Sequence, residues 1–385
     1  MHNFSFNTSK RIVCETGSLA QVGDLCRSAG ISKAFVVSDA GIVAAGLLEQ
    51  LEAALRAAQM PFEVFTDIVA DPPESVVLEA LAAAQASGAD GIIGFGGGSS
   101  LDAAKLVALM ARSGEQLSEI YGVEQVKGQR LPLVLVPTTA GTGSEVTPVA
   151  IITTGEHSKM GVVSSQLLPD IALLDANLTL GLPAHITAAT GIDAMVHAIE
   201  AFTSVHRKNH YADMLACNAL QLLSENIRTA THQGDNCEAR QAMLLGACMA
   251  GQAFANAPVA AVHALAYPLG GRFHIPHGLS NSLVLPEVMR FNAPEAAHWY
   301  AQLAPHILGE QYQAGNDQQV TEQLIDYLIE LIADLGLPSQ LRELDIPENI
   351  LPTLADDAML QTRLLVNNPR PVTLVDALSI YRAAW

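Results

Sequence analysis

GIIGFGGGSSLDAAK, at residues 91–105, is an apolar run that leads through three consecutive glycines into a helix-forming segment. The pattern predicts a β-strand, a tight turn and a helix that begins at Leu101. Glycines allow a backbone to approach a ligand closely, and a helix N-terminus presents unpaired N–H groups at its positive end. The stretch therefore predicts a pyrophosphate cradle, although it is neither the spaced G-x-G-x-x-G fingerprint nor a P-loop. Taken alone, it could also be a flexible turn.

The first half of the chain alternates β-branched apolar runs with Ala-rich helical segments such as Glu74–Ala86 and Leu101–Arg112. Because the apolar runs are continuous, both faces of the strands are expected to be covered, as in a parallel sheet. We therefore predict a doubly wound α/β domain over residues 1–183. The predicted strands are Ala34–Ser38, Phe62–Thr66, Gly91–Phe95, Leu133–Pro137 and Ile171–Leu174.

The second half of the chain lacks comparable strand signals. After Gly181-Leu182-Pro183 the hydrophobic periodicity is helical, so we predict an all-helical domain over residues 184–385. Pro258 and Pro286 are expected to separate helices, because proline removes a backbone N–H and crowds the preceding turn. The predicted helices are 187–203, 211–228, 237–255, 259–270, 295–308 and 318–335.

The composition is that of a globular protein and excludes several partners. The chain has 385 residues, of which 50% are hydrophobic and 15% charged, which is ample for two sizeable cores. Its formal charge is −19 without any basic run, so we expect no nucleic-acid partner. The most apolar stretch, Met243–Leu269, is interrupted by Gln252, Asn256, Pro258 and His263, so we expect no membrane span.

Cysteine usage and the N-terminal sequence point to one compartment. The five cysteines are scattered and match neither a disulfide framework nor a zinc ribbon. The segment Met1–Lys10 lacks the basic start and apolar core of a signal peptide. A cytoplasmic protein is therefore expected.

Two further polar features follow strands of the predicted sheet. Val136-Pro-Thr-Thr-Ala-Gly-Thr-Gly-Ser-Glu145 offers hydroxyls and backbone amides to phosphate, ribose or amide groups, although such a segment can also be a capping turn. Asp39 ends the first strand and could bind a ribose diol while repelling a 2′-phosphate. It could equally cap the next helix. Ligands bind at the carboxyl ends of parallel strands in open α/β sheets, where both features are expected.

One carboxylate and several imidazoles in the second half suggest a metal site. Asp193 and His197 are four residues apart in an apolar helical segment, so both project from one face. An acid and an imidazole are costly there unless something pairs them, and a divalent cation would do so. His263 and His277 follow further along the chain. One carboxylate and three imidazoles suit Fe(II) or Zn(II).

Spacing alone leaves alternatives to this metal site. The chain has twelve histidines, most of which must be structural or exposed. Asp193 and His197 could form a simple buried acid–imidazole pair. Glu200, one turn beyond His197, could replace Asp193 as a ligand, and His274 could replace His277.

Four motifs taken in order resemble the iron-activated, group III alcohol dehydrogenases, a family that includes lactaldehyde reductases. They are GGGSSLDAAK at 96–105, PTTAGTGSE at 137–145, GIDAMVHAIE at 191–200 and HALAYPLGGRFHIPHG at 263–278. The ending from Asn368 to Trp385 is also similar. The resemblance covers essentially the whole chain. It implies an α/β dinucleotide-binding domain followed by an all-helical metal-binding domain, as in dehydroquinate synthase-like and iron-type alcohol dehydrogenase enzymes.

The resemblance also implies roles for individual residues. It implies that one divalent metal is bound, with Fe²⁺ favoured over Zn²⁺, by Asp193, His197, His263 and His277. It implies NAD in preference to NADP, because it places Asp39 beside the adenosine ribose. The implied cofactor-binding residues are Asp39, Gly97, Gly98, Ser99, Asp102, Thr138, Thr139, Thr142 and Lys159.

Tyr267 departs from the pattern of many members of this family. They carry a histidine four residues after the third metal ligand, where it is thought to help move the alcohol proton. A phenol, with a pKa near ~10, is a poorer proton relay at neutral pH than an imidazole. Tyr267 is nevertheless expected in the catalytic site, and Phe254 is expected to line the substrate pocket.

The implied activity is reversible hydride transfer between NAD(H) and a small primary alcohol or diol and its aldehyde, by a homodimer or larger homo-oligomer. Alternatives of the same fold are a glycerol-dehydrogenase-like polyol enzyme, a maleylacetate reductase and a lyase of the dehydroquinate synthase type. The intact metal ligands argue against a metal-independent reductase, and the scarcity of Lys and Arg in the helical half argues against the lyase. A non-catalytic dinucleotide-binding protein is the alternative from a different class.

Overall fold

The computed structural model describes residues 3–155 and 158–385. Contacts within these ranges define two compact units. The first unit is Asn7–Gly181, and the second comprises the described residues before Asn7 together with Leu182–Trp385.

The first unit contains two β-sheets. Its strands are β1 Arg11–Cys14, β2 Ala34–Asp39, β3 Phe62–Ile68, β4 Gly91–Gly96, β5 Gly122–Val123, β6 Leu133–Pro137, β7 Val149–Thr154, β8 Ser158–Val163 and β9 Ile171–Leu174. The larger sheet has the order β1-β9-β6-β4-β2-β3, and every pair in it is parallel. The smaller sheet has the order β5-β8-β7, in which β7 and β8 are antiparallel.

Helices cover both faces of the parallel sheet in the first unit. They are α1 Val22–Ser28, α2 Ala40–Ala44, α3 Leu47–Ala57, α4 Glu74–Ser87, α5 Gly98–Ser113 and α6 Leu117–Ile120. Successive strand residues enter different apolar clusters: Ile92 packs in the cluster with α4 and α5, whereas Ile93 packs in the cluster with α1 and α3. Because side chains alternate along a strand, a sheet covered on both faces requires such continuous apolar runs. The predicted α/β class is confirmed.

The strands that the sequence did not predict have exposed or alternating patterns. β1 is an edge strand with largely exposed residues, paired with β9 alone in the described sheet. β7 alternates between buried and half-buried positions. These strands therefore lack the continuous apolar runs of the central strands. Helix α5 begins at Gly98, three residues before the predicted start at Leu101, so the glycines form its first turn.

The second unit is helical throughout its regular structure. Its helices are α7 Ala184–Thr203, α8 His210–His232, α9 Cys237–Asn256, α10 Ala261–Phe273, α11 His277–Leu308, α12 Asp317–Asp334, α13 Leu351–Met359, α14 Thr362–Leu365 and α15 Leu374–Ala384. The expected break at Pro286 is wrong, because Pro286 and Pro294 both lie inside α11. Packing of α11 against α7, α8 and α12 offsets the backbone hydrogen bonds that these prolines remove.

No single helix among the described residues is both long and apolar enough to cross a membrane. Helices α9 and α10 reach the length and apolarity of a membrane span only when they are counted together, and the chain bends by 107° between them.

Candidate functional site

Three helices of the second unit bring Asp193, His197, His263 and His277 together. One ligand atom of each residue lies within 4.8 Å of those of the others. Asp193 Oδ1 is 4.0 Å from His197 Nε2 and 3.6 Å from His277 Nε2. The side chain of His277 is 34% exposed, whereas the other three are buried. The cluster is therefore closed on most sides and accessible at His277.

A close approach of two helix backbones places Asp193 and His277 side by side. Gly278 follows His277 at the start of α11, and a Cβ at Gly278 would lie 2.3 Å from Ala189 O and 3.2 Å from Asp193 Cβ. Only glycine allows α11 to lie this close to α7. The i,i+4 spacing of Asp193 and His197 then aligns both side chains with the histidine from α11.

Glu200 supports the cluster from behind and is not one of the four grouped residues. Its Oε2 lies 2.6 Å from His263 Nδ1, and its Oε1 accepts a hydrogen bond of 2.6 Å from Val262 N. Glu200 therefore caps α10 and also directs His263 Nε2 toward the other three grouped side chains. Burial raises the pKa of Glu200 to about 7, against the opposing effect of hydrogen bonds from the α10 backbone. His274 ends α10 in a left-handed conformation, is exposed and lies outside the group.

The donor set fits a divalent cation. Burial favours a protonated Asp193, but His197, His277, His263 and the hydrogen bond from Asn281 lower the pKa of this carboxyl below its usual value. Burial and the neighbouring imidazoles lower the pKa of His263. The directions of these two shifts favour an ionised carboxylate at Asp193 and a neutral imidazole at His263, which are the forms that bind a metal. Asn281 Oδ1, a buried oxygen beside the cluster, has no hydrogen-bond partner among the described residues.

In the first unit, predicted cofactor residues lie together at the carboxyl ends of the central strands of the parallel sheet. β4 lies between β6 and β2, so their carboxyl ends at Gly96, Pro137 and Asp39 are neighbours. Gly96 has φ 148°, and a Cβ there would lie 2.9 Å from Ser100 Oγ. A Cβ at Gly98 would lie 2.9 Å from Thr142 Cγ2. The glycine loop at residues 96–99 and the loop at residues 138–145 therefore pack against each other, and the N-terminus of α5 lies beside these strand ends.

Both units of the chain match known protein families. Residues 9–176 match the iron-containing alcohol dehydrogenase family, and residues 187–385 match the C-terminal domain of the Fe-containing alcohol dehydrogenase family. The chain belongs to the iron-containing alcohol dehydrogenase family. It is 38% identical to long-chain-alcohol dehydrogenase 1 of Geobacillus thermodenitrificans (strain NG80-2), over 96% of this chain and 93% of that protein. The resemblance in the motifs is thereby confirmed.

Two other similar proteins extend the comparison. The NAD-dependent methanol dehydrogenase of Bacillus methanolicus is 33% identical over 96% of each chain. A solved structure of a 1,3-propanediol oxidoreductase superposes with a TM-score of 0.96 at 33% identity and covers 100% of both chains. The whole chain therefore has the architecture of an iron-containing alcohol dehydrogenase.

Within this family architecture, Asp39 caps a helix. Its Oδ1 accepts a hydrogen bond of 3.0 Å from Ile42 N, and its Oδ2 accepts one of 2.8 Å from Ser100 Oγ. The capping alternative is thus observed directly. The same carboxylate ties α2 to the glycine loop, at the edge where the family resemblance expects the ribose.

Asp102 and Lys105, both on α5, hold this helix against residues 144–151 through hydrogen bonds. Asp102 accepts hydrogen bonds from Ser144 Oγ at 2.6 Å and from Ile151 N at 2.9 Å. Lys105 is fully buried, and its Nζ donates to Val149 O at 2.7 Å. Burial lowers the pKa of Lys105, although Asp102 opposes this effect. These groups bind α5 to residues 144–151, so Asp102 positions the loops by contacts within the protein.

The other predicted cofactor residues lie around the same loops. Thr138 is buried and its N–H donates to Gly96 O at 3.0 Å, while Thr139 lies beside Gly97. Lys159 Nζ forms an ion pair of 2.7 Å with Asp71. Asp71, which the sequence analysis missed, also donates its N–H to Ser99 Oγ at 3.3 Å. The Asp71-Pro-Pro turn after β3 is the feature of the sequence that could have indicated a polar residue beside these loops.

Phe254 and Tyr267 lie beside the cluster of Asp193 and the three histidines. The Phe254 ring stacks on His197 with centroids 4.3 Å apart and an interplanar angle of 24°. Tyr267 follows His263 by one turn of α10, and its ring centroid is 5.9 Å from that of His277. Both side chains are half-buried. Asn281, missed in the sequence analysis, follows His277 by one turn, and the same i,i+4 spacing that links Asp193 to His197 could have indicated it.

Proposed function

We propose that this protein is a metal-dependent, NAD(H)-linked oxidoreductase that interconverts a small primary alcohol or diol and its aldehyde. The cluster of Asp193 with three histidines, which is accessible at His277, carries this proposal. Membership of the iron-containing alcohol dehydrogenase family and relatives named as methanol and propanediol enzymes support it.

When bound, a divalent cation supplies Lewis acidity toward the substrate oxygen, and the nicotinamide accepts or returns a hydride. Asp193 supplies the negative charge of the ligand set, and Glu200 fixes the orientation of His263. Phe254 restrains His197 by stacking. The Tyr267 hydroxyl is proposed to hydrogen-bond the substrate or the cofactor ribose. The N-terminus of α5, at Gly98 and Ser99, would hold the pyrophosphate.

We propose Fe²⁺ as the working metal, with Zn²⁺ as the alternative. Four protein ligands complete the tetrahedral shell that zinc prefers in structural sites, whereas catalysis needs a further position for substrate. Iron(II) sites built from two histidines and one carboxylate keep open positions for substrate, and the set here adds one histidine to that combination. Metal analysis after anaerobic purification would distinguish the two ions.

We also propose two domains, at 1–183 and 184–385. The compact units differ from these bounds at residues 3–6 and at Leu182 and Pro183, which group with the helical unit. A homodimer or larger homo-oligomer in the cytoplasm, with no nucleic-acid or membrane partner, is proposed on the family resemblance, the charge of −19 and the scattered cysteines. Size-exclusion chromatography with light scattering would test the oligomer, and a monomer would contradict it.

An assay of NADH oxidation with a panel of aldehydes tests the proposed activity. We expect turnover with short unbranched aldehydes, and the reverse reaction with the matching alcohols and NAD. Faster turnover of glycerol than of every primary alcohol or diol in the panel would favour the polyol enzyme. Binding of NADH by the metal-loaded protein without turnover of any aldehyde would favour a non-catalytic dinucleotide-binding protein.

Asp39 is expected to favour NAD over NADP by charge. Asp39→Asn can preserve the cap on α2 but removes the charge that would repel a 2′-phosphate. We expect the ratio of kcat/KM for NADP to that for NAD to rise about tenfold, which is ~1.4 kcal/mol and within the range for two charges near a protein surface. Asp39→Gly should act similarly with a lower Tm. A wild-type enzyme that uses both cofactors equally would contradict this role.

Tyr267 is expected to assist turnover through its hydroxyl without being an indispensable base. Tyr267→Phe keeps the ring beside His277, so we expect a loss of kcat of less than about tenfold, below the range for a general acid–base group. Tyr267→His should move the pH optimum toward ~6.5, because an imidazole titrates there. The measurement is kcat against pH for all three proteins with one aldehyde. Identical profiles would remove the hydroxyl from the mechanism, and complete inactivity of Tyr267→Phe would make it essential.

A further inference from the structure

Asn281 has a fully buried side-chain amide, and its nitrogen lies among the side chains of Asp193, His263 and His277. Its Nδ2 is 2.6 Å from Asp193 Oδ1, 3.3 Å from His263 Nε2 and 3.4 Å from His277 Nε2. Its residue exposure is 0%. Three of the four grouped residues therefore surround one side-chain nitrogen that is not itself a metal donor.

We propose that Asn281 is a positioning residue of the metal centre, which holds the Asp193 carboxylate in place for the cation and thereby sets the metal affinity. This inference rests on the proposed function, since it takes the cluster to be the metal site. Asn281 would act through Asp193 rather than as a ligand.

The chemistry of an amide nitrogen determines which of these contacts can persist. Nδ2 carries two protons and can only donate hydrogen bonds. An imidazole Nε2 that gives its lone pair to a cation can no longer accept a bond from Nδ2. The carboxylate has several lone-pair sites, so Asp193 Oδ1 can keep accepting from Asn281 while the carboxylate binds the ion. The bond at 2.6 Å is therefore the contact compatible with a loaded site.

The other end of the amide shows that Asp193 determines its orientation. Asn281 Oδ1 has no hydrogen-bond partner among the described residues, and a buried polar atom of this kind destabilises the fold. Turning the amide over would place Oδ1 against the carboxylate oxygen, where two acceptors repel.

Asn292, on the same helix, provides a matched buried asparagine without a place in the cluster. Its side-chain amide exchanges two hydrogen bonds with that of Asn368, at 3.1 and 2.7 Å. Both Asn281 and Asn292 are buried in α11, so equivalent substitutions create similar cavities or similar buried charges. A difference in metal binding between the two positions reports on the cluster rather than on general damage to α11.

The experiment compares Asn281→Ala and Asn281→Asp with Asn292→Ala and Asn292→Asp in the full chain. Each protein is stripped of metal, its Zn²⁺ affinity is measured by competition with a chromogenic chelator, and its Tm is recorded with and without Zn²⁺. We expect Asn281→Ala to weaken Zn²⁺ binding by roughly 10- to 100-fold, the range found for outer partners of metal ligands. Asn292→Ala should leave the affinity within about twofold of wild type.

Asn281→Asp is expected to have the opposite effect on metal binding from Asn281→Ala. It places another carboxylate beside Asp193, so the metal-free Tm should fall while the rise in Tm on adding Zn²⁺ exceeds that of wild type. Asn292→Asp should lower both Tm values equally. The inference is overturned if Asn281→Ala binds Zn²⁺ as tightly as wild type, or if both alanine variants lose affinity equally. A wild-type protein that binds no Zn²⁺ would instead refute the proposed metal site itself.

Discussion

Replacing His263 with alanine is expected to remove the bound metal and to reduce aldehyde reduction at least about a thousandfold, or ~4 kcal/mol of transition-state stabilisation. His263 is buried, and its ring lies 4.8 Å from that of His197 and 5.2 Å from that of His277. The change removes one of the four proposed ligands. It also leaves the Glu200 carboxylate buried without the imidazole that it contacts at 2.6 Å.

Metal content, kcat and the circular dichroism spectrum are the measurements for His263→Ala. The helical spectrum should persist, because the rest of α10 keeps its packing against α11 and α13. His185→Ala is the control, since His185 is an exposed histidine on α7 outside the cluster. It should retain wild-type metal and turnover. A His263→Ala protein that keeps one metal per chain and full turnover would contradict the proposed ligand set.

Gly278→Ala is expected to have the second largest effect, through geometry rather than chemistry. The added methyl group would lie 2.3 Å from Ala189 O and 2.8 Å from its carbonyl carbon, so a helix backbone must move. Overpacking of this kind costs about 1–3 kcal/mol of stability. Moving α11 from α7 also separates His277 from Asp193, and a displacement of ~1 Å can cost roughly 100-fold in rate.

We therefore expect Gly278→Ala to lower kcat and metal affinity by about 100-fold while the Tm falls by several degrees. Gly181→Ala is the matched control, because a Cβ there would meet nothing within 4 Å. It should change neither quantity measurably. Wild-type kcat and metal affinity in Gly278→Ala would show that the helices tolerate separation and that the close approach does not position the ligands.

The central fold was predictable because its signal is local and apolar. The five predicted strands form the middle and one edge of the sheet, and residues such as Ile92 and Ile93 are fully buried on opposite faces. β1 and the β7–β8 pair escaped prediction, since their neighbours in the sheet, rather than their own hydrophobicity, make them strands. Pro286 misled the prediction because tertiary packing overrides the loss of one hydrogen bond.

The candidate site was only partly predictable. The spacing of Asp193 and His197 gave one helical face, but nothing local could join that face to His263 and His277. The family resemblance supplied this grouping. The choice between Asp193 and Glu200 depended on which side chain reaches His263 Nδ1, a tertiary contact. Asn281 and Asp71 each carried a local signal, the spacing from His277 and the turn after β3. Their partners Asp193, Ser99 and Lys159 are distant in sequence, so the local signal did not reveal what either residue contacts.

An anaerobic titration of metal-free protein with Fe²⁺, followed by NADH oxidation with one good aldehyde, tests the central claim most directly. We predict that activity is absent at the start, rises in proportion to added Fe²⁺ and levels off at one equivalent per chain. His263→Ala should not respond to one equivalent. Full activity of the thoroughly metal-free protein, or no activity after a measured equivalent of Fe²⁺ has bound, would contradict a metal-dependent dehydrogenase built on Asp193, His197, His263 and His277.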